Sequence, residues 1–184
     1  MKDKKYILTD ETKEYKGHIL HRIKAVKYFG NTEKDELGGW IESESNLSQE
    51  GDCWVGGDAM VFGDAWVYRN ACVGGNAKVY GNAEVYDNAE VYGNAMVYGD
   101  ANIFGEAEIC GDAKVKSIED YAVYKNSWSS NRYFTWTRSN GKWKVGCFYG
   151  TGEELIAKAY KDSEKNGKCY EIIVKAQEAL LNVK

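Results

Sequence analysis

Aliphatic residues recur at every sixth position from residue 55 to residue 115. A small residue stands two places before each of them, Cys53 at the first and alanine at all the others. The aliphatic positions are Val55, Val61, Val67, Val73, Val79, Val85, Val91, Val97, Ile103, Ile109 and Val115. A period of six matches no helix, and a fixed internal period is typical of repeat proteins, in which stacked units share one core.

The repeating unit is clearest at residues 79–84, which read Val-Tyr-Gly-Asn-Ala-Glu. Positions two apart in an extended chain point to the same side, so the alanine and the valine share one face and the tyrosine lies on the other. The pairs Gly81-Asn82 and Gly99-Asp100 consist of residue types that turn a chain sharply. The pattern therefore predicts short strands joined by corners and wound into a β-solenoid.

Residues 41–115 resemble the hexapeptide-repeat proteins, whose pattern is aliphatic, any three, small, any. Ile41 and Leu47 begin the series, and two extra residues precede Val55. The resemblance implies a left-handed parallel β-helix with three hexads in each coil. The handedness comes from the resemblance alone, and a right-handed β-helix is the weaker alternative. We expect a mainly β fold: a left-handed parallel β-helix (β-solenoid) with a small C-terminal α+β module.

A coil of three hexads places every third hexad on the same outer face, about 4.8 Å apart. One face then has Phe62, Tyr80 and Tyr98, the next has Tyr68, Tyr86 and Phe104, and the third has Gly56, Gly74, Tyr92 and Cys110. Stabilisation of neighbouring coils by stacking is the simpler interpretation of the two aromatic ladders. Contiguous exposed apolar surface also marks contacts, and hexapeptide-repeat proteins are commonly trimers. The ladders are therefore candidates for a homo-oligomer contact, in a trimer or a dimer, or for a partner surface.

The repeats divide the chain into three predicted domains, namely residues 1–40, 41–115 and 116–184. The first is strand-like and suits an N-terminal β cap over the open end of the solenoid. The stretch Leu37-Gly38-Gly39-Trp40-Ile41-Glu42 leads into the array. This stretch and the array together resemble small repeat proteins encoded by phages and prophages of bacteria.

The third domain begins with a predicted hairpin. Residues 132–138 and 142–149 alternate around Asn140-Gly141, the preferred two-residue turn of a β-hairpin. That turn places Trp136 opposite Val145.

Two helices are predicted after the hairpin. Residues 151–154, Thr-Gly-Glu-Glu, form a capping box that opens the first helix, and Asn166-Gly167 is expected to end it. The second helix is expected over residues 169–183, so the C-terminal domain is predicted to be a β-hairpin plus two-helix module.

Composition adds an expected location. The chain of 184 residues has no apolar run long enough to span a membrane, and its charged start at residues 1–5 lacks the apolar stretch of a signal peptide. The five cysteines have no metal-like spacing and fit a reducing compartment. We therefore expect a protein of the bacterial host cytoplasm with no membrane partner and no zinc site.

Charge is distributed unevenly. Residues 41–115 contain 3 Lys+Arg and 13 Asp+Glu, a net charge of −10, whereas residues 116–184 contain 12 and 8, a net charge of +4. The acidic solenoid disfavours nucleic acid as a partner.

Catalytic chemistry is mostly absent from the sequence. Hexapeptide-repeat acyltransferases use a histidine base between coils, and the related carbonic anhydrases bind zinc with three histidines. The histidines of this chain are His18 and His21, both in the first 40 residues. Neither catalytic set can be placed, so we expect no enzyme activity, no cofactor and no metal.

A basic and aromatic set in the predicted hairpin is the best candidate for ligand binding. It comprises Arg132, Trp136, Arg138, Lys142, Trp143 and Lys144. Guanidinium and indole groups together suit phosphate binding or base stacking. The alternative is that both tryptophans belong to the core of the module and that the charges form its solvated rim.

Three hypotheses for function follow. The first is a non-enzymatic, phage- or prophage-type binding protein that engages and inhibits a host bacterial protein, for example a component of a defence system such as CRISPR. The second is sequestration of a small nucleotide signal. The third, an acyltransferase relative, is the least favoured because the repeats contain no histidine.

Overall fold

The computed structural model describes residues 4–183, so residues 1–3 of the charged start and residue 184 lie outside the described part. It is a parallel β-solenoid followed by a small antiparallel sheet and two helices. The expected mainly β fold, a β-solenoid with a C-terminal α+β module, is confirmed. The left-handed winding stays a prediction.

The strands of the solenoid are short and follow the hexads. They are preceded by β1 (Tyr6–Tyr15), β2 (His18–Ala25) and β3 (Leu37–Ile41). The coil strands are β4 (Trp54–Val55), β5 (Met60–Phe62), β6 (Trp66–Val67), β7 (Cys72–Val73), β8 (Lys78–Tyr80), β9 (Glu84–Val85), β10 (Glu90–Val91), β11 (Met96–Val97), β12 (Asn102–Ile103), β13 (Glu108–Ile109) and β14 (Lys114–Val115).

Parallel pairing stacks these strands into three sheets. Their orders are β1-β2-β3-β5-β8-β11-β14, β13-β10-β7-β4 and β12-β9-β6. Val61 lies opposite Val79, which confirms the coil of 18 residues. The first coil is longer, since Ile41 pairs with Val61. The two extra residues before Val55 account for the difference.

The core of the solenoid is a column of valine, isoleucine and alanine. The inward aliphatic side chains from Val55 to Val115 are each at most 1% exposed. Burying a side chain of this size contributes about 1.5–3 kcal/mol. Because every coil repeats the same pair of inward residues, their side chains form one continuous hydrophobic core along the solenoid.

Glycine at the corners allows the coils to approach closely. Gly93 has a φ of 73°, a conformation that residues with a Cβ rarely adopt. A Cβ at this position would lie 2.9 Å from the backbone nitrogen of Gly111 in the next coil. Arg69 and Asp87 occupy corresponding corner positions with φ of 60° and 59°.

The coil-to-coil hydrogen bonds leave unpaired backbone groups at both ends. Met60 N–H donates to the carbonyl of Ala77 in the following coil at 2.9 Å, and this direction recurs along the solenoid. Residues of a parallel strand alternate in the side to which they turn both backbone groups, so each end coil has N–H and C=O groups that face no further coil. Such groups are costly when buried without partners.

The N-terminal segment covers the first coil. Strands β1 and β2 form an antiparallel hairpin that joins the solenoid through β3. The ammonium of Lys5, which is 1% exposed, donates to the carbonyls of Cys53 at 2.8 Å and Gly51 at 3.0 Å. The hydroxyl of Tyr6 donates to the carbonyl of Leu47 at 2.6 Å. These contacts join the start of the chain to the first coil.

The C-terminal module covers the last coil. The backbone N–H of Glu108 donates to Thr135 Oγ1 at 2.9 Å, and that of Lys114 donates to Ser139 Oγ at 2.7 Å. The module thus supplies partners for backbone groups that no later coil can pair.

The C-terminal module consists of a four-stranded antiparallel sheet and two helices. The strands are β15 (Tyr121–Lys125), β16 (Tyr133–Thr137), β17 (Lys142–Val145) and β18 (Phe148–Gly150), in that order. The helices are α1 (Gly152–Asp162) and α2 (Glu164–Leu181). Neither helix, within residues 4–183, combines the length and apolar character needed to cross a lipid bilayer.

The predicted register of the hairpin is wrong by two residues. Trp136 lies opposite Trp143, not Val145. Asn140 explains the longer connection, because its side-chain oxygen accepts hydrogen bonds from the Thr137 hydroxyl at 2.6 Å and from the Lys142 N–H at 3.1 Å. The predicted strand 142–149 is also wrong in its length, since the chain turns at Gly146, where φ is 52°.

The predicted boundary between the helices is wrong as well. The capping box at Thr151 opens α1 as expected, but α2 begins at Glu164 and runs through Gly167. A Cβ on Gly167 would lie 2.2 Å from the ring of Tyr160. This glycine therefore permits close helix packing and does not end a helix.

The cap on the first coil can be tested with Lys5→Met, which keeps most of the apolar stem and removes the donor. We expect the free energy of unfolding to fall by about 1–3 kcal/mol, because buried carbonyls lose their partner. Chemical denaturation measures the change. Lys4→Met is the matched control, since Lys4 pairs with Glu44 at a surface where both side chains are nearly half exposed. Equal stability of Lys5→Met and the wild type would contradict this role.

Candidate functional site

The first aromatic ladder is partly covered by the protein itself. The ring centroids of Phe62 and Tyr80 lie 5.1 Å apart and those of Tyr80 and Tyr98 lie 5.3 Å apart, with nearly parallel planes. Phe62 is buried beneath Tyr15 and His18 of the N-terminal hairpin. The N-terminal cap therefore covers the Phe62 end of this ladder, and the Tyr98 end is more exposed.

The second ladder remains open. Tyr68, Tyr86 and Phe104 stack with centroid separations of 4.9 Å and 5.5 Å. The Tyr68 hydroxyl donates to Glu84 Oε2 at 2.9 Å, and burial together with this carboxylate raises the pKa of Tyr68. Phe104, the last ring, is 39% exposed. The ladder thus ends in an accessible aromatic surface.

A cleft of about 780 Å³ lies where the second ladder meets the C-terminal module. We call it the end cleft and define it by Arg69, Asp87, Phe104, Glu106, Val123 and Tyr133. Its volume lies within the usual range for binding pockets. Solenoid residues form one side and the first strand of the module forms the other.

Tyr121 positions that strand on the last coil. Its hydroxyl donates to the carbonyl of Asn102 at 2.9 Å and accepts the backbone N–H of Phe104. Burial raises the pKa of Tyr121 to about 12, so the hydroxyl keeps its proton at neutral pH. One phenol group thereby replaces the peptide that a further coil would have supplied.

Strand β15 presents a free edge in the end cleft. Among the described residues it pairs on one side only, with β16. Arg138 N–H donates to the Asp120 carbonyl and Asn126 N–H donates to the Arg132 carbonyl. In an antiparallel pair, alternate residues turn their backbone groups outward. The backbone groups of Tyr121 and Val123 therefore lie on the unpaired edge.

At the rim of the end cleft, two corner positions are occupied by residues other than glycine. Arg69 and Asp87, both in the left-handed conformation, form an ion pair. A side chain in this conformation costs about 1–2 kcal/mol. Strained backbone of this kind is a hint of function when it borders a cleft.

The rim of the end cleft has a net negative charge. Asp87 is matched by Arg69, whereas Glu106 accepts a hydrogen bond from the neutral Asn88 at 2.9 Å. The end cleft therefore combines an exposed aromatic ring, an unpaired strand edge and a net negative rim.

The basic and aromatic set predicted from the sequence does not form one site. Trp136 and Trp143 are 4% and 2% exposed and pack in the core of the module. The Lys144 ammonium lies 3.0 Å from Glu108 of the solenoid and holds the module against it. The indoles are therefore not available for stacking on a ligand.

The other three members of the set lie apart. Arg138 donates from Nε to the Glu119 carbonyl at 3.2 Å, and the Lys142 ammonium lies 4.8 Å from the ring centroid of Tyr149. Arg132 borders a separate small cleft of about 70 Å³. These cations contact different parts of the module.

His18 contributes to structure. Its Nδ1 lies 2.9 Å from Glu42 Oε1, and the other oxygen of Glu42 accepts the Gly63 N–H at 2.7 Å. These hydrogen bonds lower the pKa of Glu42 and connect the hairpin to the solenoid. Within residues 4–183, no three or more His, Cys, Asp or Glu side chains come together as a metal site would require.

Sequence reasoning missed Val123, Tyr133 and the strained corner of the end cleft. Val123 and Tyr133 lie outside the repeats, where no period specifies their neighbours. Arg69 and Asp87 carried a visible signal, because they replace the glycine of the corner. That departure from the repeat would have pointed to this edge of the solenoid.

Comparison with known families agrees with the architecture. A family model described as YdcK Beta solenoid repeat matches residues 89–103. The match supports a β-solenoid repeat and is confined to that short stretch. No curated protein matches the chain significantly.

The role of Tyr121 can be tested with Tyr121→Phe. We expect the free energy of unfolding to fall by about 1–2 kcal/mol, since two backbone groups lose a hydrogen-bonding partner. Amide hydrogen exchange should become faster at Phe104. Tyr98→Phe, on the last ring of the other ladder, is the control and should change little. Unchanged exchange at Phe104 in the Tyr121 variant would show that the hydroxyl does not cap the coil.

Proposed function

We propose that this chain is a non-enzymatic binding protein that engages a bacterial host protein through the end cleft. The observation that carries the proposal is the meeting of the exposed Phe104 ring with the free edge of β15. An open strand edge beside an apolar surface is a common means of recognising an extended peptide segment. A protein partner fits this arrangement better than a small ligand does.

The mode of recognition follows from the geometry of the cleft. A segment of the partner pairs with the backbone groups of Tyr121 and Val123 as an added strand. One of its apolar side chains packs on Phe104. Glu106 favours a basic residue nearby, in keeping with the net charge of −10 over residues 41–115.

The strained corner also supports binding. Arg69 and Asp87 could each be glycine, as at the other corners of the solenoid, and would then be free of backbone strain. Their ion pair also places the Arg69 guanidinium 5.7 Å from the ring of Tyr86. A costly conformation at the edge of a cleft is explained if the two side chains contact a partner.

Inhibition is the proposed consequence of binding. The resemblance of the array and its leading stretch to phage and prophage proteins favours a host target, such as a component of a CRISPR defence system in the bacterial cytoplasm. The proposed action is steric, with the solenoid covering the bound surface. Self-association as a trimer or dimer through the open end of the first ladder, at Tyr98, belongs to the same proposal.

Nucleotide sequestration and acyl transfer receive less support. Nucleotide sequestration would require indole rings that can stack on a base, whereas Trp136 and Trp143 are buried in the module. The second needs a histidine between coils, and His18 lies in the hairpin against Glu42.

The proposal is tested by affinity capture from a bacterial lysate, followed by measurement of the dissociation constant for the captured protein. Phe104→Ala should weaken binding by about 30-fold, the effect of losing a central anchor. Tyr28→Ala is the matched control and should bind within about 2-fold of the wild type, since it removes an exposed ring of the N-terminal segment that does not line the end cleft. Equal affinity of both variants and the wild type would refute the end cleft as the binding surface.

Arg69→Gly separates binding from folding. We expect thermal stability to be kept or raised, because glycine relieves the left-handed conformation. We expect binding of the captured protein to fall at the same time. A variant that loses stability and keeps its affinity would show that Arg69 serves the fold.

A further inference from the structure

The third sheet of the solenoid has a gap in its outer face. Each of the other two sheets places aromatic rings in consecutive coils after the inward aliphatic residue. In the sheet β4-β7-β10-β13 the same positions are Gly56, Gly74, Tyr92 and Cys110. A groove of about 380 Å³ opens there, bordered also by Trp54, Cys72 and Glu90.

Tyr92 provides one wall of the groove. Its hydroxyl donates to Glu108 Oε2 at 3.2 Å, and the Lys144 ammonium lies 5.8 Å from its ring centroid. The ring is thus held in place by the last coil and the module. Residue 74 lies in the coil before Tyr92, and a Cβ there would have no atom within 4 Å. The position next to Tyr92 in the ladder is open.

Trp54 provides the opposite wall. A Cβ on Gly56 would lie 3.7 Å from Cδ1 and 3.9 Å from Nε1 of its indole, so this ring already covers the Gly56 position. Trp54 is 7% exposed, and within the described residues its Nε1 is buried with no hydrogen-bond partner. One position of the ladder, at Gly74, is therefore vacant between an aromatic ring and an indole N–H edge.

The charges around the groove are acidic. Glu90 lies exposed at its border. The Lys144 ammonium near the Tyr92 ring is matched by Glu108 at 3.0 Å. Lys5 is buried and bonded to carbonyls of the first coil. Positive charge on an occupant of the groove is therefore favoured.

We infer that the vacant position at Gly74 receives an aromatic side chain of a partner protein, with an adjacent basic residue directed to Glu90. The ring would stack on Tyr92 with the spacing of the protein's own ladders, 4.9–5.5 Å between centroids. The Trp54 indole, which borders the groove, would lie beside the incoming ring. Aromatic side chains that fill such pockets are typical anchors of interfaces. The site lies on a different sheet from the end cleft and does not depend on it.

The probe is the blocked dipeptide acetyl-Arg-Trp-amide, titrated into the full-length protein and followed by NMR. We expect saturable shifts of the Trp54 indole N–H and of the Gly74 amide, with acetyl-Glu-Trp-amide binding at least about 10-fold more weakly. No saturable shift at these signals, or equal binding of both peptides, would overturn the inference.

Gly74→Tyr tests the vacancy directly, because the protein's own new ring should occupy the open position beside Tyr92. We expect thermal stability to be kept or raised and binding of acetyl-Arg-Trp-amide to be lost. Lys114→Tyr adds the same ring at an exposed position of another sheet and should leave binding unchanged. A marked loss of stability in Gly74→Tyr would show that the position is not open. Unchanged binding would show that the peptide lies elsewhere.

Glu90→Lys tests the charge at the border without filling the groove. We expect it to reverse the preference, so that acetyl-Glu-Trp-amide binds more tightly than acetyl-Arg-Trp-amide. An unreversed preference would refute the assignment of Glu90 as the partner of the basic residue.

Discussion

The hydrogen bonding between successive coils is the constraint on which this structure depends. Parallel pairing at an offset of 18 residues requires each inward position to be filled by the same kind of side chain in every coil. It also requires corners tight enough for neighbouring coils to touch, as at Gly93 and Gly111. The hexad of aliphatic, corner and small residues meets both requirements. The column of valine and alanine is thus a consequence of the pairing as much as of hydrophobic burial.

The same pairing determines what the caps must supply. Each end coil of a parallel stack has unpaired N–H and C=O groups, so a cap needs acceptors as well as donors. The N-terminal cap supplies donors, from Lys5 and Tyr6, and the C-terminal cap supplies the hydroxyl oxygens of Thr135 and Ser139. Tyr121 does both, because a phenol can donate and accept. The end cleft arises where this second cap meets the wall of the solenoid.

The repeats could be predicted from the sequence because each hexad restates the same information. Coil length, inward residues and aromatic ladders follow from the period and its phase. The module has no such redundancy. Its hairpin register depends on hydrogen bonds that Asn140 makes to Thr137 and Lys142, which outweigh the usual preference of Asn-Gly for a two-residue turn. The helix boundary failed likewise, because Gly167 serves the packing of Tyr160. Two members of the candidate ligand set, Trp136 and Trp143, pack in the core of the module, because a small module also uses its aromatic residues to build a core.

Departures from a regular repeat are therefore the most informative positions in this chain. A solenoid needs glycine at its corners and tolerates aromatic rings on its walls, so a residue that satisfies neither tendency requires another explanation. Arg69 and Asp87 replace corner glycines at a cost in backbone strain, and they border the end cleft. Gly74 replaces a wall aromatic and forgoes its stacking, and it leaves a ring-sized vacancy beside Tyr92. The ion pair of Arg69 with Asp87 is partly exposed and offsets only part of that strain. We propose that both departures serve contacts with a second molecule.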